Sequence, residues 1–124
     1  MSAGRNTSQK AAIRRVFEED DRPLSPQEVL DAAREYVPKI GIATVYRSIK
    51  AFQEEGFLVS VSIPDGPPRY EIAGKAHHHH FHCNVCGKVY EIHACSGDMK
   101  SITPAGFKLE NHEILLYGKC KDCV

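Results

Sequence analysis

Two pairs of cysteines stand at a spacing that grips a metal ion. Asn84 and Val85 separate Cys83 from Cys86, and Lys121 and Asp122 separate Cys120 from Cys123. Each pair sets two thiolates on one tight turn, and four thiolates match tetrahedral zinc. Disulfides or a redox pair are the alternatives. With no secretory signal at the start and no thioredoxin-like βαβ pattern around either pair, structural zinc is the preferred reading. Just before the first pair runs His77, His78, His79, His80, Phe81, His82. On a strand, His77 and His79 would face one way and His78, His80 and His82 the other. Alternate residues lie about 6–7 Å apart, close enough for two imidazoles to converge on one ion. One stripe could thus serve two sites. An affinity tag is the plain alternative, but tags are normally terminal, whereas this run is internal and abuts the cysteines.

Carboxylates and further histidines offer completions: Glu71 before the run, Glu91 after the first cysteine pair, then Asp98, Glu110, His112 and Glu113. Taken singly, each carboxylate reads more readily as a surface residue. Mixed imidazole and carboxylate ligands suit zinc, iron(II) or manganese better than copper(I) or an iron–sulfur cluster. Cys95 is a fifth cysteine outside the pairs, either a small buried side chain or an extra ligand. Nothing resembles a catalytic zinc motif such as HExxH, so no enzyme is expected.

The elements that must position these groups fall into two halves. Ser8 or Thr7 is a candidate N-cap for a helix carrying Ile13, Val16 and Phe17, closed by an acidic run and Pro23. Ser25 and Pro26 open a second helix with Glu28 as the capping-box partner; its apolar stripe is Val29, Leu30, Ala33 and Val37. A third helix is expected to start near Thr44, with Val45, Ile49 and Phe52 inward and Gly56 as its C-terminal cap. Residues 58–63 and 69–72 flank a turn at 64–68 and read as a hairpin. Three helices plus a hairpin outline a winged helix, whose third helix enters the major groove. Residues 73–76 are a small-residue hinge. Beyond it, strands are expected over 77–83, 88–93 and 108–117, with one short helix within 97–104.

Sixteen basic residues offset sixteen acidic ones among 124, for a net charge of zero. That balance excludes a globally basic nucleic-acid coat and a polybasic membrane binder. No apolar run approaches the ~20 residues of a membrane span. The charge is segregated, however. Arg5, Lys10, Arg14 and Arg15 fall in an acid-free stretch from residue 1 to 17, and Lys39, Arg47 and Lys50 in another from 38 to 52. Two such stretches could form a DNA-facing edge with an acidic back; chance segregation on solvated helices is the plain alternative.

The chain resembles the ferric uptake regulator superfamily over essentially its whole length. The marks are Arg5 to Gln9, Gly41 to Arg47, Arg69 to Glu71, the histidine run, Cys83 to Val89, Gly106 and Phe107, His112, and Tyr117 to Cys120 with Cys123. The resemblance implies an α+β chain. Residues 1–72 would be a winged helix-turn-helix DNA-binding domain, 73–76 a hinge, and 77–124 a small α/β dimerisation domain with a four-cysteine zinc site. It further implies a cytoplasmic, homodimeric, metal-dependent repressor of metal homeostasis on a pseudo-palindromic double-stranded operator. Structural zinc would sit on Cys83, Cys86, Cys120 and Cys123. A hinge regulatory site would use Glu71, His78, His80 and Glu91, and a second site His77, His79, His112 and Asp98, with Cys95 as a possible extra ligand. Thr44, Tyr46 and Arg47 would face DNA from the recognition helix, and Arg5 and Lys10 would approach the backbone or minor groove.

Three departures bear on the effector. Pro23 stands where iron and peroxide sensors usually carry a histidine. Residue 79 is His where iron sensors often have Asp, and in this is similar to the zinc uptake regulators. The cysteine those regulators often place before the histidine run has no counterpart, since Ile72 or Ala73 stands there. The expected regulatory metal is therefore zinc, with iron(II) or manganese as alternatives and peroxide sensing less so. The segment from Glu91 to His112 is also about three residues shorter than usual, which bears on Asp98.

Overall fold

The computed structural model describes residues 2–64, 66–95 and 97–124, with side chains from Ser8 onward. Arg5 and Thr7 therefore have no described side chain, and Asp65 of the hairpin turn lies outside the described residues. The chain divides into two compact units, Met1–Gly74 and Lys75–Val124.

The first unit opens with helix α1, Ser2–Glu19. It begins well before the expected cap at Thr7 or Ser8, because no proline interrupts residues 2–9 and one glycine is tolerated inside a helix. Its C-terminal turn holds Glu18 and Glu19, where the helix dipole disfavours acids. Cations one turn back offset this: Arg14 lies 3.6 Å from Glu18 and Arg15 2.7 Å from Glu19. The Tyr36 hydroxyl also donates to Glu19 while its ring lies under the Arg15 guanidinium. Helix α2, Pro26–Ala33, starts as expected. The Ser25 hydroxyl accepts from the Glu28 N–H at 3.2 Å and the Ser25 N–H donates to the Glu28 carboxylate at 3.1 Å.

Helix α3, Ile42–Glu54, begins earlier than the expected Thr44, with Gly41 as an N-cap lacking any side-chain bond. Thr44 instead lies inside the first turn, its hydroxyl accepting from Arg47 at 3.1 Å. The helix closes as a Schellman motif. The Phe57 N–H reaches the Phe52 carbonyl at 2.8 Å and the Gly56 N–H the Gln53 carbonyl at 3.1 Å. Gly56 sits at φ +80°, which only glycine adopts cheaply, and the Phe52 and Phe57 rings meet edge-on at 5.1 Å.

Strands β1 (Leu58–Val61) and β2 (Arg69–Ile72) pair antiparallel, with Leu58 opposite Ile72. Leu24 and Tyr70 exchange both backbone bonds at 2.9 Å, which ties the α1–α2 connection to the hairpin. Ile13, Val16 and Phe17 of α1, Val29, Leu30 and Ala33 of α2, Val45, Ile49 and Phe52 of α3, and Leu58 of β1 form one buried core. The helical spacings read from the sequence thus locate the inward faces.

The second unit is a three-stranded sheet, ordered β4-β3-β5. Strand β3 (His79–Cys83) pairs antiparallel with β4 (Val89–Ile92) and parallel with β5 (Leu115–Gly118). Both outer strands differ from the expected spans, and β3 starts at His79 rather than His77. Strand pairing begins only where partners exist: His79 faces Ile92 and His80 faces Leu115. Residues 108–114 run without strand pairing into β5, and a single 3-10 turn, Lys100–Ile102, fills the expected short helix.

Two substitutions test this account in urea unfolding of the full chain. Ser25→Ala, which removes one arm of the capping box, costs about 1 kcal/mol. Gly56→Ala, which forces alanine into a left-handed conformation, costs about 1–2 kcal/mol.

Candidate metal centres

The strongest grouping is the four cysteines. Cys83 ends β3, Cys86 lies on the turn into β4, and Cys120 and Cys123 follow β5. The first turn closes through the Gly87 N–H to the Cys83 carbonyl and the Cys83 N–H to the Lys88 carbonyl, each at 3.0 Å. Gly87 at φ +77° makes that geometry accessible. Parallel pairing of β3 and β5 sets Cys83 opposite Gly118, which returns the second pair beside the first. All four sulfur atoms lie within 4.8 Å of one another, and those of Cys86 and Cys120 are 3.9 Å apart. A tetrahedron with ~2.3 Å metal–sulfur bonds separates its sulfurs by about 3.8 Å. The donor set therefore fits zinc with little rearrangement.

Backbone dipoles prepare the thiolates. The Cys86 and Cys120 N–H groups point at the Cys83 sulfur from 3.5 and 3.3 Å and hold its pKa down to about 5. Cys123 is pushed the other way, to about 12, by hydrogen bonding with Cys120 and by burial. A cation entering the cluster thus displaces protons, and its affinity falls as pH falls.

The second grouping joins His77, His79, Cys95 and His112, with one ligand atom from each within the same 4.8 Å. His77 Nε2 lies 3.0 Å from His79 Nε2 and 3.1 Å from His112 Nε2. The Cys95 sulfur is 3.2 Å from His79 Nε2 and 3.3 Å from His112 Nε2. His79 is buried, and its pKa is lowered by that burial and then by His77, which keeps the ring neutral and able to ligate. Its Nδ1 faces the Ile114 N–H at 3.1 Å and so accepts. Holding a cation on Nε2 would require the ring proton on Nδ1, the atom the Ile114 N–H now faces.

Asp98 was expected here, and the structure places it elsewhere. Its carboxylate accepts the Ser101 N–H at 3.3 Å and its carbonyl the Ser101 hydroxyl at 2.9 Å, a local turn leading into the 3-10 helix. Cys95 takes the place beside the imidazoles.

His78 and His80 lie together, with ring centres 4.9 Å apart. His78 Nδ1 donates to the Ala76 carbonyl at 2.8 Å, which leaves the Nε2 lone pair in the form that binds cations. Glu91 lies directly across from His80 in the β3–β4 register. Its carboxylate is ion-paired with Lys75, and one oxygen lies 3.4 Å from His93 Nε2. Lys75 and His93 escaped the sequence reading, although His93 follows Glu91 at the two-residue spacing of a shared strand face. His82 does not join the pair; its ring packs 5.8 Å from Tyr117. Glu71 belongs to the first unit, on β2 opposite Val59.

On the first unit, Tyr46 and Arg47 are exposed on α3, and Thr44 is half-buried. Lys10 pairs with Glu55 at 2.9 Å and lies over the Phe52 ring, so its charge already has a partner. Arg14 and Arg15 are likewise paired, whereas no acid pairs with Lys39, Arg47 or Lys50 among the described residues. The basic edge is thus concentrated on and just before α3.

Cys120→Ser is expected to abolish retention of one zinc per chain. It should also collapse the amide resonances of the second unit toward random-coil positions while those of the first unit hold. Native mass spectrometry and two-dimensional NMR on the full chain check both.

Residues 2–117 match the Ferric uptake regulator family. The ferric uptake regulation protein of Campylobacter jejuni is 32% identical over 122 residues, covering 94% of this chain and 78% of that protein. Among solved structures, a zinc-bound manganese uptake regulator superposes with a TM-score of 0.78 at 29% identity, covering 90% of this chain and 87% of the other. FurB of M. tuberculosis, a zinc uptake regulator, gives 0.56 at 30% identity over all of both chains. With the winged-helix outline and the metal-ligand groupings in place, the chain belongs to the ferric uptake regulator family, DNA-binding transcription regulators of metal homeostasis.

Proposed function

We propose that the protein is a zinc-responsive repressor that binds a pseudo-palindromic operator as a homodimer. The observation that carries the zinc assignment is the imidazole-rich second grouping, in which His79 stands where iron sensors often have Asp and, among the described residues, no carboxylate joins the ring nitrogens. Pro23 in place of a histidine argues in the same direction, against iron and peroxide sensing. Imidazole and thiolate donors favour zinc over manganese and iron(II).

In this reading the four-cysteine site is structural, and zinc there supplies folding energy to the second unit. Glu71, His78, His80 and Glu91 form the hinge regulatory site, and the His77, His79 and His112 group forms the second. Zinc at these ligands favours one arrangement of the two units over others, which sets the spacing of two recognition helices. Within α3, Tyr46 offers apolar contact to a thymine methyl and Arg47 reaches a guanine or phosphate. Lys39 beside the N-terminus of α3 suits a phosphate, since the helix dipole points there. For the dimer, β5 lies at the edge of its sheet with Leu116 and Tyr117 exposed, and Ile102, Phe107 and Leu109 are also solvent-facing. Apolar side chains on an unpaired edge call for a partner strand.

The combined substitution His78→Ala and His80→Ala should cut zinc-dependent operator affinity about 100-fold, equivalent to about 2.7 kcal/mol of coupling. The fold and one zinc per chain should remain. Gel shifts with DNA upstream of its own gene, with and without chelator, read this out; unchanged binding sinks the regulatory assignment. In the same assay Arg47→Ala weakens binding by roughly 10-fold, about 1–3 kcal/mol for one lost base contact. A reporter that derepresses under iron starvation and not under zinc starvation overturns the choice of zinc.

A further inference from the structure

Asp98 and Cys95 are rival candidates for the position beside His77, His79 and His112, and the geometry separates them. The Asp98 carboxylate is engaged in its own turn with Ser101. Cys95 is a free cysteine whose sulfur contacts two of the three imidazoles, at 3.2 and 3.3 Å. A tetrahedral ion bonded to nitrogen at ~2.0–2.1 Å and to sulfur at ~2.3 Å separates nitrogens by about 3.3 Å and nitrogen from sulfur by about 3.6 Å. The observed separations of 3.0–3.3 Å differ from these by a few tenths of an ångström.

We infer that Cys95 is the fourth ligand of a site of three histidines and one cysteine in the second unit, with Nε2 donors from His77, His79 and His112. Its four ligands come from four segments: the residues before β3, β3 itself, the loop after β4, and the approach to β5. A cation there crosslinks the unit at a second point, at the opposite end of β3 from Cys83. The thiolate sets the selectivity. Soft sulfur favours zinc over the harder manganese and iron(II), which carboxylate and water suit better, and a closed four-ligand shell leaves no position for a labile water. This deepens the zinc reading above and rests on it for the biological consequence; the coordination itself stands on the four ligand atoms.

Cobalt(II) is the probe, because a cobalt–thiolate bond gives a charge-transfer absorption in the near ultraviolet that nitrogen and oxygen ligands do not. Full-length protein carrying one zinc per chain, verified by native mass spectrometry, is titrated with cobalt(II). The added equivalent is expected to give the charge-transfer band together with intense tetrahedral visible bands. Cys95→Ser should lose the charge-transfer band and bind cobalt at least 10-fold more weakly. Cys95→Asp should bind cobalt without the band, with zinc-over-manganese preference lowered at least 10-fold. Asp98→Asn should match the parent chain. No band in the parent chain, a band surviving in Cys95→Ser, or its loss in Asp98→Asn overturns the inference. Gel shifts on the same preparations keep the two readings apart. An intact band without zinc-dependent DNA binding sinks the repressor and leaves the site, while zinc-dependent binding without the band does the reverse.

Discussion

The gathering of four sulfur atoms around one point is the constraint on which the second unit depends. Among its described residues, those buried as a whole are His79, Cys83, Val89 and Cys120. Three of those four are candidate ligands, so almost nothing buried is simply apolar. A unit of this size lacks the hydrophobic burial to offset its chain entropy. Zinc bound by the four thiolates would contribute on the order of 10 kcal/mol, the scale needed. The first unit works differently: twelve clustered apolar residues, ten from three helices and a strand and two, Leu24 and Ile40, from the connections, form an ordinary core.

Because sulfur positions fix the sheet, they also fix what the sheet presents. The parallel pairing of β3 with β5 that brings Cys120 to Cys83 also brings the approach to β5, with His112, beside His79. His77 and His79 fall in one cluster and His78 and His80 in the other, so the alternation of β3 carries back into the two residues before it. One short histidine run feeds two sites because its period is two. In the proposed reading, a soft thiolate in one cluster and carboxylates in the other would give the two sites different chemistry.

The neutral net charge has a comparable resolution. On α1, Lys10, Arg14 and Arg15 are tied to acids on the same helix or on the turn after α3. The cations of the other stretch are not so paired among the described residues. Linear charge counting saw two basic segments of equal weight; packing leaves one of them as the positive edge. Association driven by such a local edge is screened by salt even though the protein as a whole carries no net charge.

Much of this was legible in the residues. Helical spacing named the inward faces of α1, α2 and α3, the capping box marked the start of α2, and Gly56 marked the end of α3, because each is a local rule acting within a few residues. The grouping of the four cysteines was readable for the same reason, since each pair sits on one local turn. Helix starts were less legible: Gly41 caps α3 with backbone alone, and a helix without a breaker extends as far as packing and propensity allow. The choice between Asp98 and Cys95 lay beyond the sequence altogether. Both are plausible ligands a few residues apart, and which one meets the histidines depends on how the loop after β4 turns and on Asp98 finding Ser101 instead. Ligand type and turn chemistry are encoded locally, whereas the convergence of side chains from four separate segments is a property of strand order and register, which only the folded chain decides.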